Sequence, residues 1–153
     1  MCAIIGSFDK QTLKDLYKLN TYRGELSHSL SSFRCNSLGT VLDRLYQGHN
    51  KMSEELIDDL QLTESSYMIG HSQAPTTQTN NIHPAAYGNA LLWHNGIIKQ
   101  KEITSDIWDT QWMLERILSY GWGTLSEMDG TFACIMFYGG NLYVFRNEIS
   151  PLF

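Results

Sequence analysis

Several common signals are missing from the chain. The 11 lysines and arginines are scattered among 16 acidic residues for a net charge of −5. No run of them could track a phosphate backbone, which argues against nucleic acid as a direct ligand. No apolar stretch approaches the roughly 20 residues needed to span a bilayer. The first residues carry neither a basic segment nor a small-residue cleavage site. A cytoplasmic protein without membrane contact is expected. The three cysteines, Cys2, Cys35 and Cys134, are odd in number and lack CxxC spacing. That pattern argues against a disulfide framework and a structural zinc. The histidines form no HExxH or similar ligand pattern, so neither a metal nor a cofactor is assigned. Repeats, low-complexity tracts and proline-rich linkers are absent too, leaving no boundary at which to divide the chain.

What remains is an ordinary globular composition, 42% hydrophobic and 18% charged over 153 residues, which predicts a single domain over 1–153. Residues 2–8 read as an apolar strand. KQTLKDLYKLN follows at helical spacing, with Leu13, Leu16 and Tyr17 inward. SHSLSSF and TVLDRLYQG are predicted to pair as strands near the middle of a sheet. SEELIDDL is a helix with Ser53 as N-cap and an acidic, solvated face. YMIGHS is a buried strand entering the polar loop QAPTTQTNNIHP, whose length without periodicity marks a functional segment. GNALLWHNGIIK reads as two strand pieces joined at His94-Asn95-Gly96, and DTQWMLERILSYG as a helix stopped by Gly121. GTFACIMFYGGNLYVFR is a hairpin around Gly139-Gly140. Cys134 and Cys35 are read as buried or half-buried thiols. The sum is a mostly antiparallel, layered α+β domain.

Two short stretches point to chemistry. In MCAIIGSF the cysteine stands directly after Met1. Loss of that methionine would leave a thiol and a free α-amine on one residue, the amine with a reference pKa of about 7.7–8.0 that suits a base near neutrality. Alternatively, Cys2 is a small apolar residue opening a core strand. Thiolate attack on an amide creates an oxyanion that pre-placed donors stabilise. In HNG, Asn95 offers a side-chain NH2 and Gly96 an unobstructed backbone N–H. Taken alone, the same tripeptide reads first as a hairpin turn.

MCAIIGSF, RG at 23–24, GHSQAPTT at 70–77, LLWHNGI at 91–97, WDTQWML at 108–114 and GTFACIMFYGGNLYVFRNEISPL at 130–152 occur in one order along the chain. In that order and spacing the sequence resembles the glutaminase domain of the class II glutamine amidotransferases, over nearly its whole length. The resemblance implies a layered αββα sandwich of the N-terminal-nucleophile hydrolase type. It implies that Cys2 attacks the side-chain amide of glutamine, with its own α-amine as base, to give a thioester and ammonia. Asn95 and Gly96 would form the oxyanion hole. Asp109 would hold the substrate α-ammonium, Thr76 would help to bind the α-carboxylate, and Arg23 matches the arginine of the R-G motif. Asp109 also has a plain reading as the N-cap of the helix after it, and Thr76 and Arg23 as loop residues. His71 and His94 are left outside the chemistry.

The sequence departs from the family pattern in three places. Gln73 stands where the family has an arginine that pairs with the carboxylate, and a charge-assisted bidentate pair is roughly twice as strong as a neutral bond. RGELSHS lacks the aspartate that often follows R-G. The chain ends at SPLF, where the family continues with further strands and an ammonia-consuming domain. The sheet is therefore expected to be shortened at that end and covered by an acceptor synthase or transferase in trans, or by a second copy. Three functions stay open: a glutaminase supplying a separate acceptor, an N-terminal-nucleophile amidase acting on another amide, and an inactive relative serving as a binding or regulatory partner.

Overall fold

The computed structural model describes residues 2–74, 81–104 and 107–148. The chain is α+β, with two antiparallel sheets and few helices. It divides into two compact units, Met1–Pro75 and Thr76–Phe153. Among the described residues no helix is long and apolar enough to cross a membrane.

The first unit holds β1 (Ala3–Ser7), α1 (Lys10–Asn20), β2 (Ser27–Asn36), β3 (Gly39–His49), α2 (Glu54–Asp58) and β4 (Ser66–Gln73). Its sheet has the order β1-β4-β2-β3. β2 and β3 pair as expected, but β3 lies at the edge and not near the middle. The reason is that β2 spends its other side on β4. α1 spans the expected residues. Asp9 caps it by accepting from the Thr12 backbone N–H at 2.7 Å, and Leu13 and Tyr17 are buried from it. They join Leu30, Met52, Ile57, Leu60 and Met68 in one core, where each fully buried large side chain contributes about 1.5–3 kcal/mol. Ser53 occupies the N-cap position of α2 but makes no side-chain capping bond. The acidic residues of α2 face lysines of α1: Lys14 pairs with Asp58 and Lys18 with Glu54.

The second unit holds β5 (Ala85–Tyr87), β6 (Ala90–Ile98), α3 (Asp109–Tyr120), β7 (Gly130–Tyr138) and β8 (Asn141–Arg146), with sheet order β5-β6-β7-β8. α3 packs its buried face, Met113, Leu114 and Ile117, into a core with Leu92, Ile98, Phe132, Cys134 and Met136. The β7–β8 hairpin turns at Gly139 and Gly140, both at positive φ (58° and 75°), the conformation this turn demands. One expectation is overturned: His94-Asn95-Gly96 is not a turn. β6 runs through it unbroken, with Asn95 opposite Ala133 and Gly96 opposite Phe132. β5 was not foreseen, since three residues beside a polar loop carry almost no periodicity.

Candidate functional site

In the first unit, pairing of β1 with β4 sets Ala3 opposite Ser72, so the next residues outward, Cys2 and Gln73–Ala74, are neighbours. Cys2 is buried, and its Sγ lies 3.7 Å from the Ala74 carbonyl oxygen. The chain after α1 makes a short 3-10 turn at Thr21–Arg23 and then brings Gly24 against the same backbone. A Cβ on Gly24 would overlap Gln73 and the Ala74 nitrogen. Its φ of 176° is ordinary extended backbone, so close approach is what requires glycine there. The Leu26 N–H donates to the Gln73 carbonyl at 3.0 Å, extending the contact. Gln73 is buried, and its carboxamide oxygen accepts from the Ser27 hydroxyl at 2.9 Å. That bond fixes which way the amide faces. Arg23 is half-buried beside Gly24, and His71 is buried in β4 opposite Ile4 and Ser29. Three motifs far apart in sequence therefore meet at the Gln73-Ala74 backbone. Thr76 lies outside the described residues.

In the second unit, Asn95 and Gly96 sit half-buried where β6 passes from its buried stretch, residues 90–94, toward solvent. Gly96 has φ of 151°, and a Cβ there would overlap the Thr131 carbonyl of β7 and come within 2.8 Å of His94 Nε2. Glycine is needed on both counts.

Asp109 is the first residue of α3, and the cap position falls on Trp108, whose side chain makes no capping bond. The N-cap reading of Asp109 is thereby corrected. Its carboxylate reaches back to β6 instead: Oδ2 accepts from the Ile98 N–H at 3.3 Å and lies 3.8 Å from His94 Nδ1. Oδ1 accepts from the Thr110 N–H at 2.7 Å and from the Thr110 hydroxyl at 3.3 Å.

Sequence reasoning missed the residues that organise this corner. His94, Thr110 and His83 are all buried. Thr110 Oγ1 lies 3.2 Å from both His94 Nδ1 and His83 Nε2, and His94 Nε2 lies 3.3 Å from the Thr131 carbonyl. Burial pushes the His94 pKa below its ordinary 6.5, against the opposing pull of Asp109 and the Thr131 carbonyl. The ring is therefore neutral at neutral pH. Cys134, opposite His94 on β7, is fully buried, and burial together with the Asp109 charge pushes its thiol well above 9.0. It is a resting core thiol. His94 adjoins Asn95, and Thr110 follows Asp109 in the D-T step, so both had a signal by position. His83 had none.

Cys2, Arg23 and Gln73 thus belong to the first unit, and Asn95, Gly96 and Asp109 to the second. Among the described residues no group of three or more His, Cys, Asp and Glu side chains is arranged to hold a metal ion. The chain matches no family model, and no curated protein is significantly similar to it in sequence.

Proposed function

We propose that the protein is a glutaminase of the N-terminal-nucleophile type, with the αββα fold that the resemblance implies, and that it supplies ammonia to a separate acceptor enzyme. Support comes from the sequence resemblance and from one observation above the rest. The Cys2, Arg23-Gly24 and Gln73-Ala74 motifs converge on a single corner, with the thiol against the Ala74 carbonyl. Gly24 presses on the same Gln73-Ala74 backbone that the Cys2 thiol meets.

The chemistry starts once Met1 is removed. The Cys2 α-amine takes the thiol proton, and the thiolate attacks the glutamine side-chain carbonyl carbon. The resulting oxyanion is stabilised by the Asn95 side-chain NH2 and the Gly96 N–H. Collapse breaks the carbon–nitrogen bond, the α-ammonium returns its proton to the leaving nitrogen, and ammonia departs. Water then hydrolyses the thioester, giving glutamate and the free thiol. In this scheme Asp109 binds the substrate α-ammonium, and Thr76, Gln73 and Arg23 surround its carboxylate end.

Gln73 favours a second reading. Its neutral amide, fixed by Ser27, suits a substrate with a neutral carbonyl at that end better than it suits a carboxylate. That would make the protein an amidase acting on a glutamine derivative.

Intact mass spectrometry before and after exposure to a diazoketone analogue of glutamine tests the proposal. Loss of Met1 and one covalent adduct, absent in Cys2→Ala, is the expected result. A retained Met1, or a processed chain that takes up no adduct, would overturn it in favour of an inactive relative or a different amide substrate.

A further inference from the structure

The Thr110 hydroxyl stands between Asp109, His94 and His83, and has one proton to give and two lone pairs with which to accept. Its partners' needs fix the direction of every bond. The Thr131 carbonyl only accepts, so the neutral His94 ring carries its proton on Nε2, 3.3 Å away. His94 Nδ1 is then an acceptor, and so is Asp109 Oδ1. Thr110 directs its proton to these two, while His83 Nε2–H donates into the Thr110 oxygen. Thr110, His94 and His83 are buried and each has a partner in this network, which in a low-dielectric interior makes a rigid block. The block has two outputs. Through His94 it braces the Thr131 carbonyl, the atom against which Gly96 is packed. Through Oδ1 it fixes the rotation of the Asp109 carboxylate, whose other oxygen holds the Ile98 N–H.

We infer that Thr110 is a positioning residue, acting with His94 to hold the Asp109 carboxylate and the Gly96 peptide in fixed mutual register. The effect on catalysis rests on the glutaminase proposal; the hydrogen-bond network does not. The titratable groups facing His94 are Asp109 from α3, Cys134 from β7 and, across Thr110, His83 from the segment before β5. Protonation of His94 would place a cation beside the carboxylate that receives the substrate ammonium, so acid is expected to raise KM for glutamine before it lowers kcat.

The test compares two substitutions of opposite character in the full chain. Thr110→Val keeps the volume and removes the hydroxyl; Thr110→Ser keeps the hydroxyl and removes a methyl group. A positioning role predicts that Val raises KM for glutamine about tenfold or more through Asp109 and lowers kcat through the Gly96 peptide, and that Ser stays close to the wild type in both. Equal effects, or a larger loss with Ser, would show that Thr110 matters only for packing and would overturn the inference. Nitrogen NMR of the histidine rings across about pH 5–8 reads the network without any activity. A neutral His94 with its proton on Nε2, and an Nδ1 signal that shifts in Thr110→Val, support it. A proton on Nδ1, or a ring charged at neutral pH, overturns it. A wild type that shows the expected ring signals but no turnover would retire the glutaminase proposal and leave the network standing.

Discussion

Replacing Gly96 with alanine puts the sharpest strain on the second unit. The new Cβ would overlap the Thr131 carbonyl, a backbone atom held in the β6–β7 ladder and unable to swing aside. At φ of 151°, a side chain also occupies a conformation open essentially to glycine, at about 1–3 kcal/mol. Overpacking against a fixed neighbour adds typically about 1–3 kcal/mol, so a total of about 2–6 kcal/mol is expected. With a urea dependence of about 2 kcal/mol per molar, the midpoint should fall by roughly 1–3 M. Tryptophan fluorescence reads the right place, because Trp93, Trp108, Trp112 and Trp122 all belong to the second unit. Gly88→Ala is the control. Gly88 has φ of 59° with open space around its Cβ position, so its alanine variant carries only a left-handed penalty of about 1–2 kcal/mol. A Gly96→Ala midpoint no lower than that of Gly88→Ala would refute the steric argument.

Other perturbations follow from the same geometry. Cys134 should stay unmodified by iodoacetamide at mildly alkaline pH until urea unfolds the chain, because burial holds it as a thiol; rapid native labelling, read by peptide mass mapping, would contradict this. His94 should make stability fall as pH drops below 6.5. Its folded-state pKa lies below that ordinary value, so the unfolded chain takes the proton first, and the contribution is complete above 6.5 and lost on descent through the folded-state pKa. Thermal melts of wild type and His94→Gln would show the steeper acid slope in the wild type, and parallel slopes would count against it. Asp9→Ala should loosen the start of α1, since Asp9 accepts from both the backbone and the hydroxyl of Thr12. Faster amide exchange at residues 10–13 would reveal it, and unchanged exchange would speak against the cap.

The sequence was most legible where one local rule coincided with the tertiary demand. α1 has apolar residues at helical spacing and a capping aspartate, and it forms where expected. The β7–β8 hairpin has two glycines exactly at a turn that needs positive φ. Legibility failed at Asn95-Gly96, because the dipeptide that most strongly signals a turn is here demanded by a neighbouring strand. The glycine answers to Thr131, a residue 35 positions away whose approach no local pattern records. Asp109 failed for a related reason: its carboxylate is drawn to the Ile98 N–H, a partner supplied by the sheet and not by the helix it begins. In the first unit Cys2 and Gln73 could be picked out as candidates, but the role of Gly24 in closing that corner emerged only from the pairing of β4 with β2 on one side and β1 on the other. In the His83–Thr110–His94 group, His94 and Thr110 carried a signal only by standing beside Asn95 and Asp109, and their bonding to each other and to His83 was illegible because buried polar networks are specified by geometry and carry no sequence period.

The unbroken course of β6 also bears on how the protein ages. An asparagine followed by glycine is the pair most prone to spontaneous deamidation, because the glycine nitrogen can swing round and attack the asparagine side-chain carbonyl. In β6 that swing is blocked: Asn95 and Gly96 are both held in register with β7, and the Gly96 backbone is wedged against Thr131. Folding thus shields the Asn95 amide from its own neighbour. A chain that unfolds even briefly and often would convert Asn95 to aspartate or isoaspartate, exchanging a hydrogen-bond donor for a negative charge. The chemical lifetime of this position is therefore set by the fraction of time that the β6–β7 ladder spends open.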